Sequence, residues 1–572
     1  MVYTKLAKQK GVKFMEGVQV QKILTKNGAV NSVETSAGTI NCEYFVNCGG
    51  LWSREIGKRS VPKVRVPLHA NEHFYIVTKE IEGMDKMMPV IRDFDGRIYL
   101  REWGGEILLD PILHRMPVME KAEIRTLLNG PESFTPDANW ILGESAEGKG
   151  NYRTLEEEGA VFGETNAYER PVWFTSSSSD HEEVVKTQGS FRKPAWFESV
   201  KEEYWACKER VCIIDMSSFS KLEIKSHGDE ALNFLQYMCS NDIDQDIFSI
   251  IHTGMQNETG GYENDCTIVP MHRNHFFMIS PTSQQTRSFS WLRKHLPQDG
   301  SVTIRDVTSA YSGINVIGPH AYQLLSDLTD RSMTLNDFKP MTCDVIDVGY
   351  ASGIRAMRLT HAGEDGFVLY IPSEYTLHVY DMLMKAGKDY GISNAGYYAL
   401  RMLRIEKFFA FWGQDLTTDT TPLECGREFR VKFDKGDFIG REALLKEKEE
   451  GINQRFVQFF LNDFDVDADV WPWGGEPVYR NGKFAGIVSS SGYGFTLDRM
   501  ICLGFVRDYG ENDERITHKN MHEFILDKNA KYEIAIAGRM FPAEVRLFTP
   551  KRAYTSSQPV FIPVPSKDHQ RT

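Results

Sequence analysis

The sequence predicts an α+β multidomain chain that closes in a small β-barrel. Three observations carry that expectation. The 572 residues exceed what one core organises and suit two or three domains. The first two thirds mix short strand patterns with amphipathic helices, and the strands have antiparallel character. The last third is nearly all strand pattern, with a clear hairpin signal.

Composition narrows the function classes. Hydrophobic residues make up 41% and charged residues 25%, as in ordinary globular proteins. A net charge of -13 argues against a nucleic-acid groove, which needs a positive field. No run approaches the roughly 18–20 apolar residues of a membrane span. The nine cysteines are scattered and odd in number, and no C-x-x-C pair occurs. They read as buried thiols in a reducing compartment rather than as a disulfide framework or a zinc site. The N-terminus is basic and lacks acids, like a weak transit peptide. It runs directly into a strand pattern, so it is read as part of a folded domain.

The elements follow in order. Lys5–Lys10 ends at Gly11, a helix stop. Val12–Phe14 and Val18–Ile23 are expected strands, and Asn27-Gly28 suits a two-residue hairpin loop before Val30–Thr35. Thr39–Val46 continues the sheet and breaks into Cys48-Gly49-Gly50, a tight turn before a helix start. His73–Thr78 and Arg97–Glu102 are further strands. Gly148–Pro171 is polar and glycine-rich and reads as a linker, and Ser176–Ser179 as solvent-exposed. Asp229–Tyr237 and Tyr397–Lys407 have helical apolar stripes. Gly366–Ile371 is a strand, and Pro372-Ser373 opens a helix that Gly387 ends. Pro477–Arg480, Asn481-Gly482 and Phe484–Ser489 form a hairpin. Cys502–Phe505, Tyr532–Ile536 and Glu544–Phe548 complete the barrel.

Two acid-rich turns could carry chemistry. In Gly260-Gly261-Tyr262-Glu263-Asn264-Asp265 the glycine pair bends the chain, and alternation puts Glu263 and Asp265 on one face. A carboxylate held there could orient or deprotonate an amine. For the motif alone, a hairpin with solvated acids is the favoured reading. The same holds for His361-Ala362-Gly363-Glu364-Asp365-Gly366. Asp463, Asp465, Asp467 and Asp469 lack the glycine and closing glutamate of a calcium loop and read as a solvated connector, so no metal site is expected. The G-x-G-x-x-G motif of a dinucleotide fold is absent, and no nucleophile motif is present.

Several of these motifs together resemble the folate-binding aminomethyltransferase module of the glycine-cleavage T-protein. They are GGYENDCTI (260–268), HAGEDGFVLY (361–370), NAGYYALRMLRIEKFFAFWGQD (394–415), TPLECG (421–426) and FIGREAL (438–444). GEPVYRNGKFAGIVSSSGYGFT (475–496) resembles the module's C-terminal barrel. Upstream, YFVNCGGLWSREIG (44–57) and LNGPESFTPDANWILGE (128–144) are similar to the flavin domain of the dimethylglycine and sarcosine dehydrogenases. HTGMQNETGGYENDC (252–266), VCIIDMSSF (211–219) and LRIEKFFAFWGQD (403–415) resemble most closely the regulatory subunits of pyruvate dehydrogenase phosphatase within that family.

The resemblance implies an incomplete FAD-dependent oxidoreductase domain over 1–160 and a linker over 161–205. A folate-binding module over 206–455 and a barrel over 456–572 follow. FAD and tetrahydrofolate are the family's cofactors, but this chain starts after the flavin domain's glycine loop and histidine segment. It also looks shortened near Leu109 and after Glu144. A fragment of a longer gene product would read the same way. In the folate module, Asp265 matches the aspartate beside the reacting amine. The family's pterin-binding glutamate falls at Val368, and a helix arginine at Leu400 with Arg401 adjacent. Tyr262, Asp265, Glu364 and Arg401 are the expected cleft residues: Asp265 for an amine or pterin nitrogen, Glu364 behind it, Arg401 for a carboxylate tail. Cys48, Gly49 and Gly50 are the remnant flavin-domain turn. The expectation is a mitochondrial-matrix, non-catalytic regulator that binds the phosphatase catalytic subunit and holds no cofactor. The alternatives are a folate-binding aminomethyltransferase or a flavin- and folate-dependent demethylating dehydrogenase.

Overall fold

The computed structural model describes residues 10–553 except 27–28, 62, 65, 67–68, 79–90, 94–97, 103–106, 110–123, 135–151, 166–167, 176–190 and 335. The Lys5–Lys10 helix expectation and the Ser176–Ser179 exposure expectation fall largely or wholly outside these residues. The chain divides into two units, 1–147 and 148–572.

The first unit carries two sheets. Val20–Lys26 and Ala29–Thr35 pair antiparallel, with Lys26 opposite Ala29, the register a two-residue loop requires. Gly38–Asn41 and Ser60–Val61 flank them. A second sheet of five strands includes His69–Thr78 paired along its length with Ile124–Phe134. Val12–Phe14 and Phe45-Val46, expected as strands, are irregular. Val12, Phe14 and Val46 are exposed, so their apolar character finds no sheet face to bury against.

The second unit holds two antiparallel-rich sheets and a barrel. Residues 152–174 correct the expectation of an irregular linker. They form a helix, Tyr152–Glu157, and a hairpin, Ala160–Thr165 with Tyr168–Phe174. The hairpin buries Val161 and Trp173 in the main core, which explains why polar, glycine-rich sequence is ordered there. Helix α1, Phe197–Glu209, follows within the residues expected as linker.

One sheet has five strands and includes β1, Tyr262–His272, beside the edge strand Ile251–Gln256. The other has six and includes β2, Gly366–Pro372. Val269, Phe277 and Ile279 from the first sheet and Met357, Val368 and Tyr370 from the second share one apolar core. Helix α2, Tyr397–Glu406, buries Ala399, Leu400, Met402 and Leu403 in the same core. The C-terminal barrel closes through six strands from Gln454–Leu461 to Arg539–Arg546. In its hairpin, Asn481 and Gly482 have φ of 51° and 77°, the left-handed pair that matches strand twist. β3, Lys483–Gly494, faces α2. No helix among the described residues is long and apolar enough to cross a membrane.

Candidate site around Asp265

The glycine pair ahead of β1 has a physical reason. Gly260 sits at φ +90°, and a Cβ on Gly261 would lie 1.7 Å from the Thr418 carbonyl oxygen. Only glycine allows that approach. The Tyr262 amide donates to the Thr420 carbonyl at 3.0 Å, and Asn257 Nδ2 donates to Thr418 O at 3.1 Å. The segment from Thr417 is thereby pinned across the start of β1. Ten residues further on it lays two guanidinium groups beside Asp265. Arg427 Nη1 donates to Oδ2 at 3.1 Å, and Arg430 Nη1 stands 4.0 Å from Oδ1. Two residues earlier Glu263 meets Arg287, with Nη2 at 2.7 Å. Each carboxylate thus meets an arginine, although a register shift opposite Met255 and Gln256 interrupts the strict alternation expected across Glu263.

The surroundings set the charge. Burial opposes the Arg427 cation, but the charge of Asp265 and the hydrogen bond to it outweigh burial and raise its pKa. Arg430 is lowered, by burial first and by Arg427 next. His252 Nδ1 lies 2.9 Å from Thr267 Oγ1. Burial, then Arg430, His361 and Arg427, push its pKa well below the ordinary histidine value. Burial alone lowers His361 to about 4, and its ring lies 5.0 Å from that of Phe219. Both imidazoles are neutral at physiological pH. Burial raises the Tyr262 phenol and the Cys425 thiol, keeping them protonated. Two guanidinium groups thus face Asp265, one hydrogen-bonded to it and one at ion-pair distance.

The other expected residues are dispersed. Tyr262 shares the strand of Asp265, and its ring is buried with Ile405, Leu416 and Phe456. Glu364 is 1% exposed and ion-paired with Lys208 at 3.2 Å and with Lys407. Burial lowers the Lys407 amine to about 8 against the pull of Glu364. Arg401 Nε donates to the Ser491 carbonyl on β3 at 3.2 Å, and burial lowers its pKa to about 10. Neither Glu364 nor Arg401 shares a hydrogen bond or ion pair with Asp265 among the described residues. Val368 lies on β2 opposite Asn315 and Met357, fully within apolar core. It supplies no polar atom to a pterin edge, so this position does not fit tetrahydrofolate in the way a carboxylate would.

In the first unit, Cys48, Gly49 and Gly50 lead into a single 3-10 turn and the six-residue helix Ser53–Lys58. The Gly49 amide donates to Asn47 Oδ1 at 3.1 Å, and a Cβ on Gly49 would lie 2.5 Å from Ile56 Cδ1. The Gly49 amide is therefore taken up within the turn and is not free for a flavin pyrophosphate.

Sequence reasoning missed Arg427, Arg430 and His252 as site residues. The signal was present: Arg427 directly follows the TPLECG motif, Arg430 comes three residues later, and His252 opens HTGMQ.

Comparison with known proteins gives a consistent frame. Residues 2–181 match the FAD dependent oxidoreductase family, 151–435 the GCVT N-terminal domain, and 454–550 the glycine cleavage T-protein C-terminal barrel domain. The mouse protein named pyruvate dehydrogenase phosphatase regulatory subunit, mitochondrial, is 41% identical over 664 residues, covering 95% of this chain and 75% of its own. That alignment is longer than this chain, so the relative carries stretches with no counterpart here. The 4-methylaminobutanoate oxidase (formaldehyde-forming) of Paenarthrobacter nicotinovorans is 28% identical, with 95% and 76% covered. Human mitochondrial dimethylglycine dehydrogenase is 26% identical, with 85% and 69% covered. The glycine cleavage system aminomethyltransferase T of Bartonella henselae superposes with a TM-score of 0.56 at 18% identity, covering 69% of this chain and 95% of that one. It shows the same fold.

Proposed function

This chain belongs to the family of the mitochondrial pyruvate dehydrogenase phosphatase regulatory subunit, and on that premise we propose that it is a non-catalytic regulatory subunit of that phosphatase. It binds the catalytic subunit in the mitochondrial matrix and tunes dephosphorylation, hence reactivation, of the pyruvate dehydrogenase complex. The observation that carries the reading is the 41% identity over 95% of the chain to the regulatory subunit, against 26% to a dehydrogenase of the same family. The site supports it. Asp265 is engaged by Arg427, Glu364 by two lysines, and Val368 is buried in apolar core. A scaffold that keeps an enzyme's shape after its polar site has been spent on internal pairs suits regulation. On this reading neither FAD nor tetrahydrofolate is held.

The test adds the purified chain to the phosphatase catalytic subunit and follows release of phosphate from phosphorylated pyruvate dehydrogenase. A stable complex with altered metal or substrate dependence is expected. An absorbance spectrum and a calorimetric titration with tetrahydrofolate accompany it. Stoichiometric flavin, or tight folate binding without any effect on the phosphatase, would return the chain to the enzymes of the family.

A further inference from the structure

The arrangement over Asp265 is unbalanced in a way that points to a ligand. Arg430 stands 4.0 Å from Asp265 Oδ1, beyond hydrogen-bond reach. The Phe429 ring lies 5.4 Å from its guanidinium carbon, and Arg427, Tyr262 and His252 are close enough to interact with its charge. Its donors therefore form no hydrogen bond with any described residue. Yet its side chain is only 25% exposed, and burial is the first cause of its lowered pKa. A guanidinium in that position, a quarter exposed, is satisfied by water or by an acceptor that displaces it. Arg427 spends one amino group on Asp265 and reaches the Ala410 carbonyl only at 3.5 Å with the other. His252 uses Nδ1 on Thr267, which leaves Nε2 without a described partner.

From this geometry we propose that Arg430 and Arg427, set over Asp265, form a binding site for a small monocarboxylate. The inference rests on the regulatory reading above, because it assigns a ligand to a site that has ceased to hold an amine. Charge selects the class. Two guanidinium groups against one carboxylate leave a surplus of one positive charge, which a monoanion balances. A phosphate dianion would overshoot it and meet Asp265 as a like charge. Shape selects the same class. The planar fork of Arg430 offers two parallel N–H donors to the two oxygens of a carboxylate, and the neutral His252 ring can receive or donate one more bond to a neighbouring polar atom of the ligand. Occupancy of this site would alter the link between β1 and the 417–430 segment, giving a small metabolite a hold on the folate-type module.

Saturation-transfer NMR on the full chain tests this, with acetate, 2-oxobutanoate and inorganic phosphate as separate probes. Both carboxylates are expected to bind, and phosphate at least tenfold more weakly. Arg430→Gln should weaken the carboxylates at least tenfold with an unchanged circular dichroism spectrum and melting temperature. Asp265→Asn should tighten them, because it raises the surplus charge. Unchanged affinity in Arg430→Gln, weaker binding in Asp265→Asn, or preference for phosphate would overturn the proposal. If either variant fails to fold, the other decides by the sign of its effect. The phosphatase assay is read independently, so a chain that regulates but ignores carboxylates sinks only this inference. One that binds carboxylates without touching the phosphatase sinks only the regulatory reading.

Discussion

Lys221 illustrates how far burial reshapes single side chains in this fold. It is wholly buried, and its amine donates to the Ser217 and Phe219 carbonyls at 2.8 and 2.7 Å. A neutral amine has two hydrogens for those two acceptors. Burial lowers its pKa to about 7, against the opposing pull of Asp215 and Asp306. Between about pH 7 and the ordinary lysine value near 10.4, the unfolded chain holds a proton that the folded chain has released. Stability therefore rises with pH across that window and is lost as pH falls toward 7. Urea midpoints at pH 7 and pH 9 should show a rise for the wild type that Lys221→Met lacks. At the same scale, Asp265 was legible from its motif, whereas its arginine partners were not. They lie 162 and 165 residues along the chain, and only the pinned 417–430 segment makes them neighbours.

Elements depend on a few backbone positions. Gly261 is the contact through which the 417–430 segment rests on β1. Gly261→Ala forces a Cβ against the Thr418 carbonyl, and overpacking of this kind costs about 1–3 kcal/mol. Chemical denaturation should read that loss together with faster amide exchange at Tyr262, whose bond to Thr420 O is opened. Gly482 closes the barrel hairpin at φ +77°. Gly482→Ala should destabilise the second unit by about 1–2 kcal/mol, the cost of a side chain in the left-handed region. An unchanged midpoint would mean that the turn adapts. The hairpin was predictable because Asn-Gly between two apolar runs specifies its own turn. Val12–Phe14 and Phe45-Val46 were misread because a short apolar run becomes a strand only where a partner edge exists.

At the scale of the molecule, the barrel and the α/β module of the second unit are fastened through buried polar groups. Gln458 Nε2, on the first barrel strand, donates to the Ile405 and Glu406 carbonyls at the end of α2 at 2.9 and 3.2 Å. The Leu497 amide donates to Glu406 Oε1 at 2.8 Å. Near the C-terminus, Thr549 Oγ1 donates to Lys407 O at 2.8 Å, and the buried Lys208 donates to Ala553 O at 2.9 Å. Gln458 and Lys208 are buried, and exchanging each such bond for water on separation of barrel from module costs about 0.5–1.5 kcal/mol. Calorimetry of the full chain should show module and barrel melting in one transition. Gln458→Ala should lower that transition without splitting it, and a separate barrel transition would contradict the coupling.

The order of the modules, the closing barrel and its hairpin, the missing dinucleotide glycines and the place of Asp265 on a strand after a glycine turn all follow from local residue patterns. Those features depend on neighbours a few residues apart, where periodicity and turn chemistry act. The state of the site does not. The two arginines on Asp265, the lysine clamp on Glu364, the turning of Arg401 toward the barrel and the burial of Val368 between two sheets were decided by tertiary contacts between distant segments. A side chain's charge and its freedom to bind are set by what surrounds it, and those surroundings exist only once the chain has folded.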